Sequence, residues 1–232
     1  MIKYITYIIF ILALTGCNQN KGSSIKIENE KISFKDSLYF SITNNSNSKV
    51  IYLTDLSRYR YYNIDTVYPN ENIGLSIKIT DSDSNIIDFD RKFIFFDIDS
   101  LADLKTESYA DKLRQDLAFY QNKYKELFVD HDTSWAFHSA LIREKSMQLN
   151  KKEKGYKKIE LINNQSQESY FLLTSYGFDL EPNKSYFLSL ILKVDSVRVK
   201  KYLPQKYIDS LEANHIQIFH GEIESNKVPL VH

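Results

Sequence analysis

The groups in this 232-residue chain with catalytic or metal-binding chemistry are five histidines, one cysteine and thirty acidic side chains. Spacing decides which of them can act together. Asp81-Ser82-Asp83-Ser84-Asn85 begins with the alternating oxygen side chains of a calcium loop. Ile86 then stands where such a loop needs Gly for its sharp turn, and Lys92 where it needs a bidentate Glu, so a solvated β-turn is expected. Asp130-His131-Asp132 and His138 share a face only on an unbroken helix, and Asp132-Thr133-Ser134 reads as a helix start that breaks it. His215 and His220 fall in a strand-like stretch, on opposite faces if that strand is regular. Ser46-Asn47-Ser48-Lys49 has the S-x-x-K spacing of acylating serines, but no K-T-G partner occurs and the serines lie in a turn. Asp97, Asp99 and Asp103 are the residue types that hydrolyse glycosides in pairs. Acids ahead of a helix also serve as partners of its N-terminal dipole. No catalytic set, no metal and no cofactor is expected from these groups.

One stretch stands out for binding rather than catalysis. In Arg58-Tyr59-Arg60-Tyr61-Tyr62, an extended backbone puts Tyr59 and Tyr61 on one face and Arg58, Arg60 and Tyr62 on the other. Tyr and Arg are the usual anchors of interfaces, and tyrosine faces also stack on sugars. These five residues are therefore candidate partner contacts.

Cys17 answers a different question. Lys3 gives a positive start, Tyr4–Leu14 is apolar, and Thr15-Gly16-Cys17 follows where the hydrophobicity stops. The run is too short to span a bilayer as a helix, which takes about 20 residues, and has the proportions of a secretory signal. Leu14-Thr15-Gly16-Cys17 resembles the lipobox of bacterial lipoproteins. That resemblance implies a signal peptide over 1–16, cleavage before Cys17, and acyl chains on Cys17 that make the membrane a partner. Two or more chains hold a protein durably where one does not. Asn18, rather than Asp, leans toward the outer membrane of the cell envelope. With Cys17 acylated, no thiol is left for a disulfide, for catalysis or for a metal.

Composition narrows the remaining classes. Basic and acidic side chains balance at 30 each, so no basic field attracts nucleic acid. The six glycines form no phosphate-cradling motif. Seventeen Tyr and fourteen Phe favour strands.

The elements that must position these groups read mainly as β. After a tether over 17–24, Leu38–Thr43 and Lys49–Thr54 flank Asn44–Ser48, which predicts a hairpin. Gly74–Thr80 alternates with period two, Asp81–Asn85 turns, and Ile86–Phe96 holds further strand. Ser100 then caps a helix carrying Leu113, Leu117, Tyr120, Tyr124 and Leu127 on one stripe. Thr133 or Ser134 caps a second helix with Trp135, Ile142 and Leu149 on one face, ending near Gly155. Strands resume at Lys158–Ile162, turn at Asn163–Gln167 and return at Tyr170–Thr174, an echo of the first hairpin. Pro204–Leu211 forms a short helix or turn, and Ile216–Ile223 and Val228–Val231 are the last strands.

Leu180-Glu181-Pro182-Asn183-Lys184-Ser185-Tyr186, leading into Phe187–Leu192, resembles the tyrosine corner of immunoglobulin and fibronectin type III domains. The resemblance implies that the Tyr186 hydroxyl bonds backbone just upstream, and that Tyr186, Leu188, Leu190 and Leu192 face the core. The stretches TNNSNSKVIYLTD and IKITDSDSNII are similar to the bacterial intracellular proteinase-inhibitor domain, also Ig-like.

The expectation is a mainly β, antiparallel Ig/fibronectin-like sandwich over 25–232 with a helical-hairpin insertion at about 100–155. The alternative division is two small sandwiches, 25–99 and 156–232, joined by helices. The expected function is that of a lipid-anchored, non-enzymatic envelope protein binding a protein or glycan partner. An envelope hydrolase using Asp, Glu or His, and a proteinase-inhibitor-like module, are the alternatives. Replacing Cys17 with Ala moves the protein from the membrane pellet to the soluble fraction of lysed cells; continued sedimentation with membranes contradicts the anchor.

Overall fold

The computed structural model describes residues 22–54, 74–87, 89–93, 115, 117–161, 167–169, 172–178 and 180–231. The expected signal peptide with Cys17, the Arg58–Tyr62 stretch, Asp97, Asp99, Asp103, the expected Ser100 cap and Asn163–Ser166 lie outside the described residues.

The chain is mainly β, in several small sheets, three of which share a core. Strands β1 (Ser23–Ile27), β3 (Ser37–Asn44) and β8 (Lys154–Glu160) form an antiparallel sheet with β3 at its centre. The expected tether over 17–24 is therefore shorter, because Ser23 and Ser24 already pair with Asn44 and Thr43. Strands β4 (Lys49–Leu53), β7 (Ser146–Leu149) and β12 (Ile216–Ile218) form a second sheet, and β6 (Phe89–Phe93), β10 (Leu172–Phe178) and β9 (Gln167–Ser169) a third. The largest sheet is built on β11 (Tyr186–Val194). On one side β11 pairs with β5 (Gly74–Asp81); on the other it pairs with β13 (Gly221–Glu224) and then β14 (Val228–Val231), which meets the short β2 (Ile32–Ser33). Strands from 25–99 and from 156–232 thus share sheets, against the two-sandwich alternative.

The fully antiparallel expectation needs correction. β12 runs parallel to β4, and β14 parallel to β2. Parallel neighbours need long connections, and both pairs join segments far apart in sequence.

The predicted hairpin around Asn44–Ser48 is also overturned. β3 and β4 do not pair with each other; the chain turns from one sheet into the next. Asn44 explains the turn. Its side chain is fully buried, and its Oδ1 accepts from the Ser46 amide at 3.0 Å and the Ser46 hydroxyl at 2.7 Å. Its Nδ2 donates to the carbonyls of Ser48 at 2.8 Å and Asn150 at 2.9 Å, with a longer branch to Leu149 at 3.3 Å. Buried polar groups persist only when hydrogen-bonded, and this amide finds its partners on two tight turns, adding to the Ser46 hydroxyl on the Ser48 carbonyl and the Glu153 amide on the Asn150 carbonyl. The second turn carries the chain from β7 back to β8, so Asn44 ties both crossings together.

Gly155 completes that junction. The second helix was expected to end near it, but it lies within β8. A methyl group there would sit 2.6 Å from the Met147 sulfur and 2.7 Å from a Leu149 methyl. The missing side chain is what lets β7 close on β8.

The first core fills with Ile25, Ile27, Leu38, Phe40, Ile42, Leu75, Ile79, Leu188, Leu190, Leu192 and Val194, among others. Tyr186, at the head of β11, is 3% exposed, and its hydroxyl accepts from the Glu181 amide at 2.9 Å. Pro182 occupies the second position of the intervening turn, where its fixed φ suits a bend closed by the Lys184 amide on the Glu181 carbonyl at 3.1 Å. Leu180 packs against the core.

A helical hairpin has its own small core. Residues 117–123 are helical, followed by α1 (Lys125–Asp130) and α2 (Thr133–Lys145). Tyr120 and Leu127 meet Ala136 and Ala140. Asp132, not Thr133 or Ser134, caps α2, accepting from the Trp135 amide at 3.0 Å. α2 stops at Lys145, because Thr54 Oγ1 and Lys157 Nζ take the Lys145 carbonyl at 3.0 and 2.9 Å and Ser146 turns extended. Leu149, expected on the helix face, lies in β7 instead.

The last predicted strand is two. β12 and β13 are separated by Phe219 and His220, and Gly221, at φ 120°, bends the chain from one sheet into another. Two short helices, α3 (Ser196–Lys200) and α4 (Gln205–Ala213), precede them, the second matching the expectation at Pro204–Leu211 and the first absent from it.

Replacing Asn44 with Ala removes a donor from each of two turns at once. It should cost about 2 kcal/mol or more, against about 1 kcal/mol for Tyr186→Phe, measured as denaturant midpoints at unchanged m-value. Equal, negligible effects would show that neither bond carries the corners.

Candidate functional site

The side chains that β3 and its neighbours turn away from the core form the most distinctive surface among the described residues. In β3, Leu38, Phe40 and Ile42 face inward and are fully buried. Period-two alternation therefore sends Tyr39, Ser41 and Thr43 to the opposite face, where Tyr39 is exposed, Thr43 half-buried and Ser41 covered by its neighbours. Register places Lys158 beside Tyr39, Tyr156 beside Ser41, and Lys154 beside Thr43 on β8; Lys26 of β1 lies beside Ser41 on the other side. Tyr39 is 50% exposed and Tyr156 67%. The two rings are diagonal neighbours across the strands and border a shallow groove of about 510 Å³ with Glu28 and Lys158.

Glu28 is the electrostatic centre of this face. Its Oε1 accepts from the Ser41 hydroxyl at 2.7 Å and from Lys154 at 3.0 Å; its Oε2 accepts from Lys26 at 3.0 Å. The Ser41 bond, then the two ammonium groups, hold its carboxyl well below the usual range, at about 2. Lys154 is drawn upward in turn, chiefly by Glu28. The Lys154 ammonium also lies 4.7 Å from the centre of the Tyr156 ring. This arrangement fixes one carboxylate and two cations beside two exposed aromatic rings. It offers acceptors, donors and flat apolar faces, and no nucleophile.

At Ile27 the β1 edge of this sheet is covered. The Ile27 amide donates to Asn226 Oδ1 at 2.8 Å, and Asn226 Nδ2 donates to the Ile27 carbonyl at 3.2 Å. One side-chain amide replaces a strand neighbour, so β1 presents no free pair here for strand addition.

The residues singled out from sequence are dispersed. Arg58, Tyr59, Arg60, Tyr61 and Tyr62 lie outside the described residues, as do Cys17, Asp97, Asp99 and Asp103. Asp81 accepts from the Asp83 and Asn85 amides at 2.9 and 2.8 Å and from the Asn85 side chain at 2.9 Å, so it closes its own turn. The Asn85 side chain is the main cause of its lowered pKa. The Ser46 hydroxyl serves Asn44. His131 stacks on Trp135 with ring centres 3.8 Å apart, and His138 on Tyr202 at 5.4 Å. The His220 Nδ1 accepts from the Ser196 amide at 3.2 Å and sits 3.1 Å from the Ser196 hydroxyl and 3.9 Å from Asp195. Serine and acid thus approach the same ring nitrogen, whereas a relay needs them on opposite ones. Asp195 also caps α3 through the Val197 and Arg198 amides. Among the described residues no three His, Cys, Asp or Glu side chains converge as metal ligands.

Sequence reading passed over Tyr39 and Tyr156. The signal was available in part: Tyr39 sits between Leu38 and Phe40, at the parity opposite the core. What sequence did not supply was the pairing of β3 with β8, which brings the second ring alongside. No protein-family model, curated protein or solved structure matches this chain.

Glu28 also gives the face a pH signature. Its carboxyl is lowered from 4.5 to about 2, so its contribution to stability is whole above pH 4.5 and is lost as pH falls toward 2. Glu28→Gln should flatten the decline in melting temperature over that window, and high salt should do the same. An identical acid profile in the variant would remove Glu28 from the account.

Proposed function

We propose that the protein is a lipid-anchored, non-enzymatic binding or scaffold protein of the cell envelope, held through Cys17, with the outward face of β1, β3 and β8 as its contact surface. The observation that carries the contact surface is the pair of exposed rings, Tyr39 and Tyr156, set beside a fixed carboxylate. Large exposed aromatics cost hydration unless a partner covers them. The lipobox-like Leu14-Thr15-Gly16-Cys17 supports the anchor and the outer-membrane address.

We read the body as an Ig/fibronectin-like sandwich. That reading draws on the Tyr186 hydroxyl bonded back to Glu181, the shared core between sheets, and the chain crossings at Asn44–Ser48 and Asn150–Glu153. In such an arrangement the inward faces are spent on each other, and partners meet an outward face or the loops.

A photo-reactive amino acid at Tyr156, expressed in intact cells, should capture an envelope component under illumination, while the same probe at exposed Val197 on α3 should not. Equal yields from both positions, or none from Tyr156, would remove this face as the contact surface.

A further inference from the structure

We infer that this face takes an acidic glycan, with sugar rings on Tyr39 and Tyr156 and the sugars' anionic groups on the flanking lysines. The inference rests on the reading of the face as a contact surface and names the chemistry of what is contacted.

The first argument is the kind of apolar surface present. Tyr39 and Tyr156 are separate outward rings, diagonal across paired strands and roughly 7–8 Å apart at the backbone. Around them stand hydroxyls and charges, Ser24, Thr43, Lys26, Lys154 and Glu28, with no aliphatic side chain among them. A protein interface would gather a contiguous apolar centre there. A sugar ring instead presents one flat C–H face to an aromatic ring and a rim of hydroxyls to polar neighbours.

Charge complementarity is the second argument. The chain as a whole is neutral, yet Lys26, Lys154 and Lys158 share this face with Glu28, and lysines exceed acids even with Glu160 counted at the far end of β8. Glu28 draws Lys26 and Lys154 into place and keeps them there. The cations are thereby positioned before any ligand arrives, which lowers the ordering cost of binding. A neutral glycan has no use for them.

A single-stranded nucleic acid would also stack and seek lysine. The difference lies in donors: a DNA backbone has no hydroxyl to give the Glu28 oxygens, whereas a sugar hydroxyl donates to them.

The test titrates the detergent-solubilised protein with oligogalacturonate and with dextran sulfate, and with two controls, the methyl ester of oligogalacturonate and a single-stranded oligonucleotide. At least one of the acidic glycans should bind, weaken as salt rises, and lose about tenfold in affinity in Tyr39→Ala and Tyr156→Ala. Tyr39→Trp, which keeps a ring, should retain binding, and each variant's circular dichroism guards against a folding defect. No binding of either acidic glycan, equal affinity for the methyl ester, or tighter binding of the oligonucleotide overturns the inference. So does loss of binding in Tyr39→Trp equal to that in Tyr39→Ala. Failure here with successful capture from Tyr156 in cells leaves the contact surface standing and rejects only the glycan; failure of both rejects the surface.

Discussion

The Asn44 side chain governs more of this fold than its size suggests. An amide has a limited set of donors and acceptors, and here they are committed to two turns at once. One turn takes the chain out of the β1–β3–β8 sheet after β3. The other returns it to that sheet before β8. If either turn moved, Asn44 would leave a buried donor or acceptor without a partner, a penalty of about 1–3 kcal/mol per group. The two sheets are therefore held in register by a local requirement for hydrogen bonds as well as by apolar burial. The absent side chain at Gly155 serves the same junction sterically, because Met147 and Leu149 fill the space it leaves.

That junction determines which side chains reach solvent. Side chains on a strand alternate, so a slip of one residue between β3 and its neighbours would bury Tyr39 and expose Phe40. The core forbids this, since Leu38, Phe40 and Ile42 are fully enclosed. With register fixed, Tyr39, Ser41 and Thr43 on one strand must stand beside Lys158, Tyr156 and Lys154 on the next. The outward face is thus a consequence of the inward one. Asn226, bonding both backbone groups of Ile27, holds the β1 border at that point.

How much of this could be read from the residues alone depends on how local the cause is. β11 was legible because Tyr186, Leu188, Leu190 and Leu192 alternate after a Pro-containing turn, and the turn's own hydrogen bonds close within a few residues. β5 and its Asp81 turn were legible for the same reason. The stretch around Asn44 misled because strand-prone runs on either side of an Asn/Ser cluster look alike whether they pair with each other or with distant strands. What decides between those outcomes is the Asn150 carbonyl, far along the chain. The end of α2 was misplaced by several residues for a similar reason. The helix pattern continues past Lys145, but Thr54 and Lys157 take its last carbonyl and β4 recruits Ser146–Leu149 as a partner. The site followed suit, since Tyr39 was visible as an outward residue but its pairing with β8 was not.

The helical hairpin is also rich in aromatic side chains, yet it is a poorer place for a ligand, and the contrast is physical. Its rings are largely spent on one another and on the body. Tyr120 packs edge-on against Phe137 at 5.4 Å, and the Trp135 indole donates to the Lys201 carbonyl at 2.9 Å. Arg143 lies over Tyr124 at 4.6 Å and over Tyr207 of α4 at 5.1 Å. Burial, and then the bond from the Tyr124 hydroxyl to Glu144 at 2.8 Å, push that phenol up to about 12. A hydroxyl committed in this way has little left to offer a ligand. Among its described residues the hairpin is a brace whose rings mostly meet other rings, cations or the body, with half-exposed Phe119 lying under the Lys123 ammonium. On the β1–β3–β8 face the charges hold one another in place while staying open to solvent, and both rings are exposed, Tyr156 with Lys154 over one side. An uncovered ring beside an ordered charge is where binding energy can still be gained.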